Sequence, residues 1–338
     1  MTIRVGINGF GRMGRALTRI VAEQPTALLE VVAVNDLGTP EQLARLLARD
    51  SVYGRFPEAV TVGGSDLMVG KKRIRLLTEP QVKALPWNEL GVDVVVEATG
   101  RFTSRDQASA HLDAGAPRVV VSAPSKGADG TFVMGVNDDE FDPDRHFIVS
   151  NASCTTNCLA VLAKVLVDAF GIEDGLMTTV HAYTGDQCLV DSLHKDPRRA
   201  RAAAVNIVPT TTGAARATGQ VVASLAGHLD GLAMRVPVPD ASVTDLVALL
   251  PAAQTVEEID RAYQVAASGS PLAGRLEYSN DDLVSSDVVG SPASCVYDAG
   301  LTMVQGRLAK VMGWYDNEWG YASRLAELVA LVGAAGCP

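Results

Sequence analysis

The fold of the first half of the chain is indicated by one segment, Arg4-Val5-Gly6-Ile7-Asn8-Gly9-Phe10-Gly11-Arg12-Met13-Gly14. It reads as a short apolar strand that runs into a GxGxxG turn, and the apolar spacing that follows predicts a helix. In such a turn the first glycine allows a tight bend, the second lets the backbone approach a pyrophosphate, and the third lets the helix pack close to the strand. The helix N-terminus then faces the anion. The spacing predicts a dinucleotide site with contacts at Asn8, Gly9, Phe10, Gly11, Arg12, Met13 and Gly14.

The acidic residue Asp36 supports this interpretation. A second apolar strand, residues 29–34, ends just before it, about 20 residues after the last glycine of the turn. A carboxylate at that position bonds the ribose hydroxyls of NAD and repels the 2′-phosphate of NADP. NAD is therefore the predicted cofactor. The alternative is that the glycines and Asp36 form only a turn and a cap.

The pattern continues as alternating strands and helices. Strands are predicted at residues 92–97 and 118–122, and helices at 40–49 and 104–114. This order predicts a parallel, doubly wound sheet, that is, an α/β Rossmann-type nucleotide-binding domain over residues 1–150. Ligands bind at the carboxyl ends of the strands in such sheets, although turn chemistry alone also explains polar residues there. The candidates at strand ends are Thr99, Gly100 and Ser122.

A thiol stands among small polar residues at Cys154, and the apolar run that follows predicts one long helix. A thiol at a helix start lies near the positive end of the helix dipole and near unpaired N–H groups, which lower its pKa. We therefore predict that Cys154 is a nucleophile, whereas Cys158, one turn further on, packs inside. His181 ends a strand predicted at residues 175–180 and is the candidate base. A structural role is the alternative for both Cys154 and His181.

A cationic cluster at residues 195–201 stands out in an acidic chain. Such a run is often a solvated face, but a phosphorylated substrate and a second, attacking phosphate would both need positive charge and donors. We therefore single out Arg199 and Arg235 as anion-binding residues. Further candidates offer a hydroxyl or an unhindered amide, namely Thr184, Thr212 and Gly213.

Together with two further motifs, these residues resemble the phosphorylating glyceraldehyde-3-phosphate dehydrogenases. The likeness runs from the first strand to the last helix, in the family's order. The segments that carry it are Ser150-Asn151-Ala152-Ser153-Cys154-Thr155-Thr156-Asn157-Cys158, His181-Ala182-Tyr183-Thr184-Gly185-Asp186-Gln187, Asn206-Ile207-Val208-Pro209-Thr210-Thr211-Thr212-Gly213-Ala214-Ala215 and Trp314-Tyr315-Asp316-Asn317-Glu318-Trp319-Gly320-Tyr321.

The resemblance implies a glycolytic, NAD-dependent oxidoreductase in which Cys154 and His181 meet. The thiol would attack the aldehyde of glyceraldehyde 3-phosphate, oxidation of the hemithioacetal would leave a thioester, and inorganic phosphate would release 1,3-bisphosphoglycerate. The resemblance also implies a homotetramer. It places Thr184 and Arg235 on the substrate phosphate, and Ser153, Arg199, Thr212 and Gly213 toward the attacking phosphate. Thr155 is a further candidate for binding substrate or phosphate. It assigns Asn317 to the nicotinamide carboxamide, although Asn317 is also a candidate N-cap of the last helix.

The pattern of the second half differs from that of the first. Residues 235–239 and 242–246 predict an edge strand and a partly buried strand, and residues 321–332 predict an apolar helix. We therefore expect an α+β catalytic domain with a mainly antiparallel sheet over residues 151–317. By resemblance, residues 318–338 pack back on the nucleotide-binding domain.

Some residues depart from the family's pattern. Pro80 stands where many members carry an arginine beside the adenine, and Val161 stands where proline is usual. Cys188 and Ser192-Leu193 replace the Arg and Leu-Pro that NAD-preferring members often have. These positions keep a dual-specificity biosynthetic form that uses NADP open. An erythrose-4-phosphate dehydrogenase and a catalytically quiet NAD-binding protein are two rival hypotheses, and the quiet protein would be expected to lose the thiol, the base or the anion-binding residues.

Composition limits the partners. The 338 residues are 47% hydrophobic, so the chain is long enough and apolar enough to form two domains. Its formal charge of −10 disfavours binding to nucleic acid or to anionic membranes, because both attract a basic surface. Five cysteines without CxxC spacing argue against a metal site and a disulfide framework. Without a signal-peptide pattern or an apolar stretch of about 18 residues, the cytoplasm is the default location.

Overall fold

The computed structural model describes residues 2–23, 28–269 and 271–335, so the cysteine at position 337 lies outside the described residues. The chain forms two compact units. The first unit comprises the described parts of Met1–Phe132, Asp138–Ala152 and Ala322–Pro338, and the second comprises those of Val133–Asn137 and Ser153–Tyr321. Within these residues, no helix combines the length and the apolarity that crossing a membrane requires.

Among the described residues, the helices are α1 (Arg12–Glu23), α2 (Pro40–Ala48), α3 (Arg105–Asp113), α4 (Cys154–Ala169), α5 (Ala214–Val221), α6 (Val256–Ser268) and α7 (Trp319–Ala334). The strands are β1 (Ile3–Asn8), β2 (Leu29–Asn35), β3 (Arg49–Asp50), β4 (Gly54–Arg55), β5 (Val60–Gly63), β6 (Asp66–Val69), β7 (Lys72–Leu77), β8 (Val94–Glu97), β9 (Val119–Val121), β10 (Gly130–Thr131), β11 (Ile148–Ser150), β12 (Asp174–Ala182), β13 (Val208–Thr211), β14 (Leu229–Val236), β15 (Ser242–Leu249), β16 (Leu276–Ser279), β17 (Cys295–Asp298), β18 (Met303–Gln305) and β19 (Leu308–Tyr315).

The main sheet of the first unit has the strand order β10-β11-β9-β8-β1-β2-β7-β6-β5. Its neighbours are parallel from β10 to β7, and β1 lies centrally with Asn8 opposite both Asn35 and Glu97. Strands β5, β6 and β7 form antiparallel hairpins, with Gly64 and Gly70 in the turns at φ +66° and +57°. The predicted parallel sheet is confirmed, but its antiparallel edge was not predicted, because charged residues interrupt the apolar pattern of those short strands.

The sheet of the second unit has the order β13-β14-β12-β15-β19-β17-β16, and β18 pairs with β19. Its pairs are antiparallel except for β12 with β14 and β16 with β17. Helix α4 contributes the fully buried side chains of Leu159, Leu162 and Leu166 to the core of this unit. The predicted mainly antiparallel sheet is therefore confirmed, and it supplies the platform on which β12 and β14 lie side by side.

Two details of the second unit correct the interpretation from sequence. Arg235 does not lie on an edge strand, since β14 has β13 on one side and β12 on the other. The prolines that suggested an edge, Pro237 and Pro239, follow the end of β14, where they remove no ladder hydrogen bond. The strand that was predicted to end at His181 continues for one more residue, so His181 is the penultimate residue of β12. Both side chains are therefore held by paired backbone.

Candidate active site

The three glycines of the GxGxxG turn meet three different geometric demands. Gly9 has a φ of +96°, and a Cβ there would come within 2.6 Å of the backbone nitrogen of Thr99. A Cβ on Gly14 would lie 2.4 Å from the carbonyl oxygen of Gly9, so α1 packs directly against the turn. Within the described part of the chain, apart from Gly11 and its two chain neighbours, no atom lies within 4 Å of the Cβ position of Gly11. This open side at the start of α1 fits a pyrophosphate.

Asp36 lies beside the same turn. Its two carboxylate oxygens accept hydrogen bonds from the backbone N–H groups of Phe10 (2.7 Å) and Gly38 (3.0 Å). Because a carboxylate has about four acceptor positions, Asp36 keeps capacity for two ribose hydroxyls. The position that the sequence predicts for a ribose-binding carboxylate is thus anchored to the glycine turn itself.

A group of polar side chains, which we call the Glu97 cluster, adjoins the turn. It comprises four buried residues, Asn8, Asn35, Glu97 and His111, and the partly buried Thr99. Glu97 accepts hydrogen bonds from Asn8 Nδ2 (2.7 Å), from the Thr99 backbone N–H (2.8 Å) and from the Thr99 hydroxyl. Its Oε2 also lies 3.0 Å from His111 Nε2, and Asn35 Nδ2 donates to Asn8 Oδ1 at 2.8 Å. The side chains of Asn8 and Thr99, both predicted to bind the cofactor, therefore hold the turn in place.

The remaining predicted cofactor residues of the first unit lie at the turn or at strand ends. The Arg12 guanidinium pairs with Asp50 and lies 5.6 Å from the centre of the Tyr53 ring, while Met13 is half-buried in the first turn of α1. The other two residues follow the carboxyl ends of β8 and β9, where open α/β sheets bind ligands. These are Gly100, with φ +71°, and Ser122, whose N–H donates to the Glu97 carbonyl at 2.9 Å.

In the second unit, Cys154 is the first residue of α4. Ser153 is the N-cap of this helix, and its hydroxyl accepts a hydrogen bond from the Thr156 N–H at 3.0 Å. Just before it, Ala152 has a φ of +56°, a left-handed conformation that costs a residue other than glycine on the order of 1–3 kcal/mol. Strain of this kind concentrates at functional sites, and here it directly precedes the residue that caps the thiol's helix.

Cys154, His181 and Arg235 meet in a group that we call the Cys154 cluster. The sulfur of Cys154 lies 3.4 Å from His181 Nε2. His181 and Arg235 are register partners on the parallel strands β12 and β14, and Arg235 Nη1 lies 2.7 Å from His181 Nδ1. The structure thus brings together the predicted nucleophile, the predicted base and one of the two predicted arginines.

Burial sets the protonation states of this cluster. It raises the pKa of the Cys154 thiol to about 11, against the opposing effect of the Arg235 charge. It lowers the pKa of His181 to about 3, and Arg235 acts in the same direction. Cys154 keeps some exposed surface, but the protein around its thiol displaces most of the water. The backbone N–H groups at the helix start do act to lower the thiol pKa, as predicted, but burial has the larger effect, so the net direction of the shift is opposite to the prediction.

Thr184, Asp186 and Arg199 form a second group in the same unit. Asp186 accepts a hydrogen bond from the Thr184 hydroxyl at 2.5 Å and forms an ion pair with Arg199, whose Nε donates to Thr210 at 3.0 Å. Although burial acts to raise it, the Thr184 hydroxyl and the Arg199 charge hold the pKa of Asp186 below its ordinary value. One aspartate thus links a residue predicted for the substrate phosphate with a residue predicted for the attacking phosphate.

Thr212 and Gly213 stand immediately before α5. Gly213 is the N-cap of this helix, and the Thr212 hydroxyl accepts a hydrogen bond from the Ala214 N–H at 3.2 Å. Both residues line a cavity of about 670 Å³ together with Arg216 and Asp230, and the described lining of this cavity does not include Cys154. Sequence reasoning missed Arg216 and Asp230, which give this lining one cationic and one anionic side chain.

Thr155 is buried, and its hydroxyl is tied to the core of the second unit. It lies 2.9 Å from the Tyr315 hydroxyl, which in turn lies 2.8 Å from the Thr179 hydroxyl. A hydrogen bond from Thr155 also favours the charged form of the neighbouring Cys154 thiol, against the larger effect of burial on its pKa. This bridge to β12 and β19 fixes the start of α4.

Asn317 is buried in the second unit, and its Oδ1 accepts a hydrogen bond from the Ser242 hydroxyl at 2.8 Å. It does not cap the last helix. Asp316 does so, because its Oδ1 accepts hydrogen bonds from the backbone N–H groups of Glu318 (2.9 Å) and Trp319 (2.7 Å). The alternative that made Asn317 the N-cap is therefore wrong.

Comparison with known proteins agrees with this geometry. Residues 3–105 match a family described as glyceraldehyde 3-phosphate dehydrogenase, NAD binding domain, and residues 153–317 match its C-terminal domain. The chain is 58% identical over 335 residues to glyceraldehyde-3-phosphate dehydrogenase 2 of Streptomyces arenae, across 99% of this chain and 100% of that protein. It is 57% identical over 339 residues to glyceraldehyde-3-phosphate dehydrogenase of Mycolicibacterium smegmatis, across 98% and 99%. The chain belongs to the glyceraldehyde-3-phosphate dehydrogenase family.

Membership of the glyceraldehyde-3-phosphate dehydrogenase family confirms the predicted family and the class of NAD-dependent oxidoreductases. It also confirms the predicted combination of a Rossmann-type domain and an α+β catalytic domain. The match to the NAD binding domain covers the glycine turn and Asp36. A catalytically quiet protein is not favoured.

The departures from the family's pattern lie in different environments. Pro80 is exposed, whereas Val161 is fully buried on α4. Cys188 accepts a hydrogen bond from the Ser192 hydroxyl at 3.1 Å, and the next residue, Leu193, is 102% exposed. Val161 belongs to the buried core against which Cys154 packs.

Sequence reasoning missed three side chains that organise these sites, namely Glu97, Asp186 and Tyr315. Asp186 and Tyr315 both stand inside the segments that carry the family resemblance. Glu97 ends a run of valines, and a carboxylate at the end of a buried strand needs hydrogen-bond donors around it. That requirement is the signal that could have identified Glu97 as the centre of a polar cluster.

Proposed function

We propose that this chain catalyses the glycolytic oxidation of D-glyceraldehyde 3-phosphate by NAD and inorganic phosphate, which yields 1,3-bisphosphoglycerate. The observation that carries the proposal is the 3.4 Å contact between Cys154 Sγ and His181 Nε2, with Arg235 against the same ring. A nucleophile, a base and a buried cation that converge in this way are the parts of a covalent mechanism on a carbonyl group.

Cys154 attacks the aldehyde carbon in the first step. Because its thiol is neutral, the proton leaves as the C–S bond forms, and His181 Nε2 at 3.4 Å accepts it. The oxygen of the hemithioacetal is held by the Cys154 backbone N–H at the start of α4 and by the protonated ring of His181. The ring then gives its proton to that oxygen and is again neutral.

The second step oxidises the hemithioacetal. When bound, NAD supplies the hydride acceptor. His181 takes the hydroxyl proton as the hydride leaves, and a thioester to Cys154 results. Inorganic phosphate attacks the thioester carbonyl, the acyl phosphate departs, and the released sulfur takes its proton back from His181.

In this proposal, separate sets of polar groups bind the cofactor, the phosphate of the substrate and the attacking inorganic phosphate. Gly9, Gly11 and Asp36 hold the cofactor, and Asn317 bonds its carboxamide. Thr184 and Arg235 hold the substrate phosphate, and Asp186 fixes Thr184. The attacking phosphate is bound by Ser153, Arg199, Thr212 and Gly213, with Thr155 supporting the start of α4.

We infer the domain limits 1–150, 151–317 and 318–338 for the nucleotide-binding domain, the catalytic domain and the terminal helix.

A homotetramer is also proposed, since Leu189 and Leu193 are 88% and 102% exposed and a partner subunit would cover such an apolar segment. Sedimentation of the purified protein tests the assembly. The cytoplasmic location stays a prediction.

The absorbance of the reduced nicotinamide tests the function, with glyceraldehyde 3-phosphate and either NAD or NADP, each with and without inorganic phosphate. We expect reduction of NAD that depends on phosphate, because a thioester without an acceptor stalls the enzyme. Asp36 is expected to keep NADP reduction slow. Comparable rates with NADP would support the dual-specificity form, and no reduction with either cofactor would contradict the proposal.

A further inference from the structure

His111, on α3, connects a buried tryptophan to the Glu97 cluster. Its Nδ1 lies 3.1 Å from the indole Nε1 of Trp87, and its Nε2 lies 3.0 Å from Glu97 Oε2. Because an indole N–H only donates hydrogen bonds, Nδ1 accepts one and carries no proton. The ring is therefore neutral, and its single proton lies on Nε2 and points to Glu97. Both Trp87 and His111 are fully buried, so bulk solvent does not reach these bonds.

The packing of Trp87 explains a glycine that the GxGxxG turn does not require. A Cβ on Gly6, within β1, would lie 2.8 Å from a carbon of the Trp87 ring. The ring therefore packs directly on the strand that leads into the turn. The loop that carries Trp87 is closed by a hydrogen bond from the Val92 N–H to the Trp87 carbonyl oxygen at 3.0 Å. The indole that fixes the His111 proton is thus itself held in place.

The proton of His111 fills the last acceptor position on Glu97. Oε2 accepts hydrogen bonds from His111 and from Asn8 Nδ2 at 2.7 Å, and Oε1 accepts them from the backbone N–H and the hydroxyl of Thr99. A carboxylate has about four acceptor positions, so all of them are used. A ring with its proton on Nδ1 would turn a lone pair toward this carboxylate and would leave the indole hydrogen of Trp87 without an acceptor.

Glu97 in turn holds the glycine turn from two sides. Asn8 immediately precedes Gly9 in the chain. On the other side, the backbone nitrogen of Thr99 lies 2.6 Å from the position that a Cβ of Gly9 would take. From Asn8 the hydrogen bonds continue to Asn35, whose Nδ2 donates to Asn8 Oδ1 at 2.8 Å. Side chains around one carboxylate therefore join the carboxyl ends of β8, β1 and β2, which are neighbours in the sheet.

We propose that His111 is a positioning residue for NAD, and that Trp87 fixes the tautomer in which it acts. A dinucleotide binds at the carboxyl ends of such strands, with its pyrophosphate over the glycine turn and a ribose at the strand-end carboxylate, here Asp36. A turn that is already held in the binding geometry loses less conformational freedom when the ligand binds, which raises the affinity. His111 acts on that affinity through Glu97. The inference rests on the proposed function, in which the glycine turn and Asp36 hold NAD.

Calorimetric titration with NAD and with ADP-ribose tests the proposal at His111. Leucine neither donates to Glu97 nor accepts from Trp87, so His111→Leu should raise both dissociation constants by about tenfold, the free energy of one hydrogen bond to a charged group. Glutamine offers a donor and an acceptor, and His111→Gln should keep both constants within about threefold of the parent values. Unchanged constants in His111→Leu, or weaker binding of NAD but not of ADP-ribose, would overturn the proposal.

Trp87→Phe tests the same hydrogen bonds without removing the ring that bonds Glu97, and it decides the matter if His111→Leu does not fold. Phenylalanine keeps most of the apolar volume but has no N–H, so the His111 proton is no longer confined to Nε2. We expect both dissociation constants to rise by about threefold, less than in His111→Leu because the imidazole remains. Parent affinity in Trp87→Phe would refute the role of the indole and with it the proposal.

Ile148→Ala separates positioning from a general loss of stability. Ile148 is fully buried on β11 of the same unit and is not a member of the Glu97 cluster. The substitution leaves a cavity, so it should lower the midpoint of urea denaturation, while the dissociation constants of NAD and ADP-ribose stay at the parent values. If Ile148→Ala weakened NAD binding as much as His111→Leu does, His111 would act through stability alone and the proposal would be wrong.

Turnover separates this inference from the function on which it rests. At saturating NAD, His111→Leu should keep kcat within about twofold of the parent, because it changes neither Cys154 nor His181, while KM for NAD rises. A parent that reduces NAD with glyceraldehyde 3-phosphate and phosphate, together with variants of parent affinity, keeps the proposed function and refutes the positioning role. A parent that binds neither NAD nor ADP-ribose refutes the proposed function itself.

Discussion

Each unit buries a cluster of polar side chains, and the two clusters differ in how fully their hydrogen bonds are satisfied. In the Glu97 cluster, one carboxylate collects donors from Asn8, Thr99 and His111. In the Cys154 cluster, two groups compete for Nδ1 of His181, and Arg235 Nε lacks a partner in the described structure. A buried polar group without a partner costs about 1–3 kcal/mol. The satisfied cluster therefore supports the fold, and the incomplete cluster keeps groups available for a ligand.

The largest expected effect comes from removing the nucleophile of the incomplete cluster. Cys154→Ser replaces the thiol with a far weaker nucleophile, so we expect kcat for NAD reduction to fall by about 10³-fold or more. The affinity for NAD, measured by quenching of protein fluorescence, should stay within about twofold because the contacts predicted to bind the cofactor near the glycine turn are unchanged.

Cys158→Ser is the matched control, since this thiol is fully buried one helical turn further along α4. It should cost some stability but leave substantial turnover. If Cys154→Ser kept ordinary turnover, the covalent mechanism would be wrong, and the incomplete hydrogen bonding of the cluster would need another explanation.

A smaller but measurable effect is expected from the satisfied cluster. Glu97→Gln keeps the shape of the side chain but replaces one acceptor oxygen with an NH2 donor. In one orientation of the amide this NH2 group faces the donors of His111 and Asn8, and in the other it faces the donors of Thr99. We expect the free energy of unfolding, from urea denaturation, to fall by about 3 kcal/mol, as for lost hydrogen bonds to a charged group. The alkylation rate of Cys154 should not change.

Glu30→Gln is the control for this substitution, because Glu30 lies on β2 of the same unit and its side chain is 43% exposed. Its effect on unfolding should stay within about 0.5 kcal/mol. Equal losses for the two variants would contradict the view that the Glu97 cluster supports the fold.

The same contrast explains what the sequence predicts well and what it does not. The GxGxxG turn is formed by the backbone between one strand and one helix. The need for glycine at positions 9 and 14 therefore follows from the local sequence spacing. The Cys154 cluster is assembled from α4, β12 and β14, and the pairing of His181 with Arg235 depends on strand register. Composition and spacing identify those residues as candidates, but they do not reveal the burial that raises the thiol pKa. The helix start is local and visible in sequence, whereas desolvation is a property of the packed unit.

The smallest expected effect is on the pH dependence of stability, and an acid titration of the folded protein measures it. This titration separates the influence of desolvation from that of the helix start. His181 has an ordinary pKa of 6.5 and a pKa of about 3 in the folded protein. As pH falls below about 6.5, the unfolded chain gains a proton there that the folded chain does not, so stability present at neutral pH is lost. The thiol is neutral in both states over this range and adds nothing. We expect the free energy of unfolding to fall by about 2 kcal/mol between about pH 7 and pH 5 through His181, and His181→Asn should lack this part of the slope. If the parent and His181→Asn had parallel slopes, the ring would not be held neutral by burial. The pKa of His181 in the folded protein would then lie close to its ordinary value, and desolvation would not dominate the Cys154 cluster.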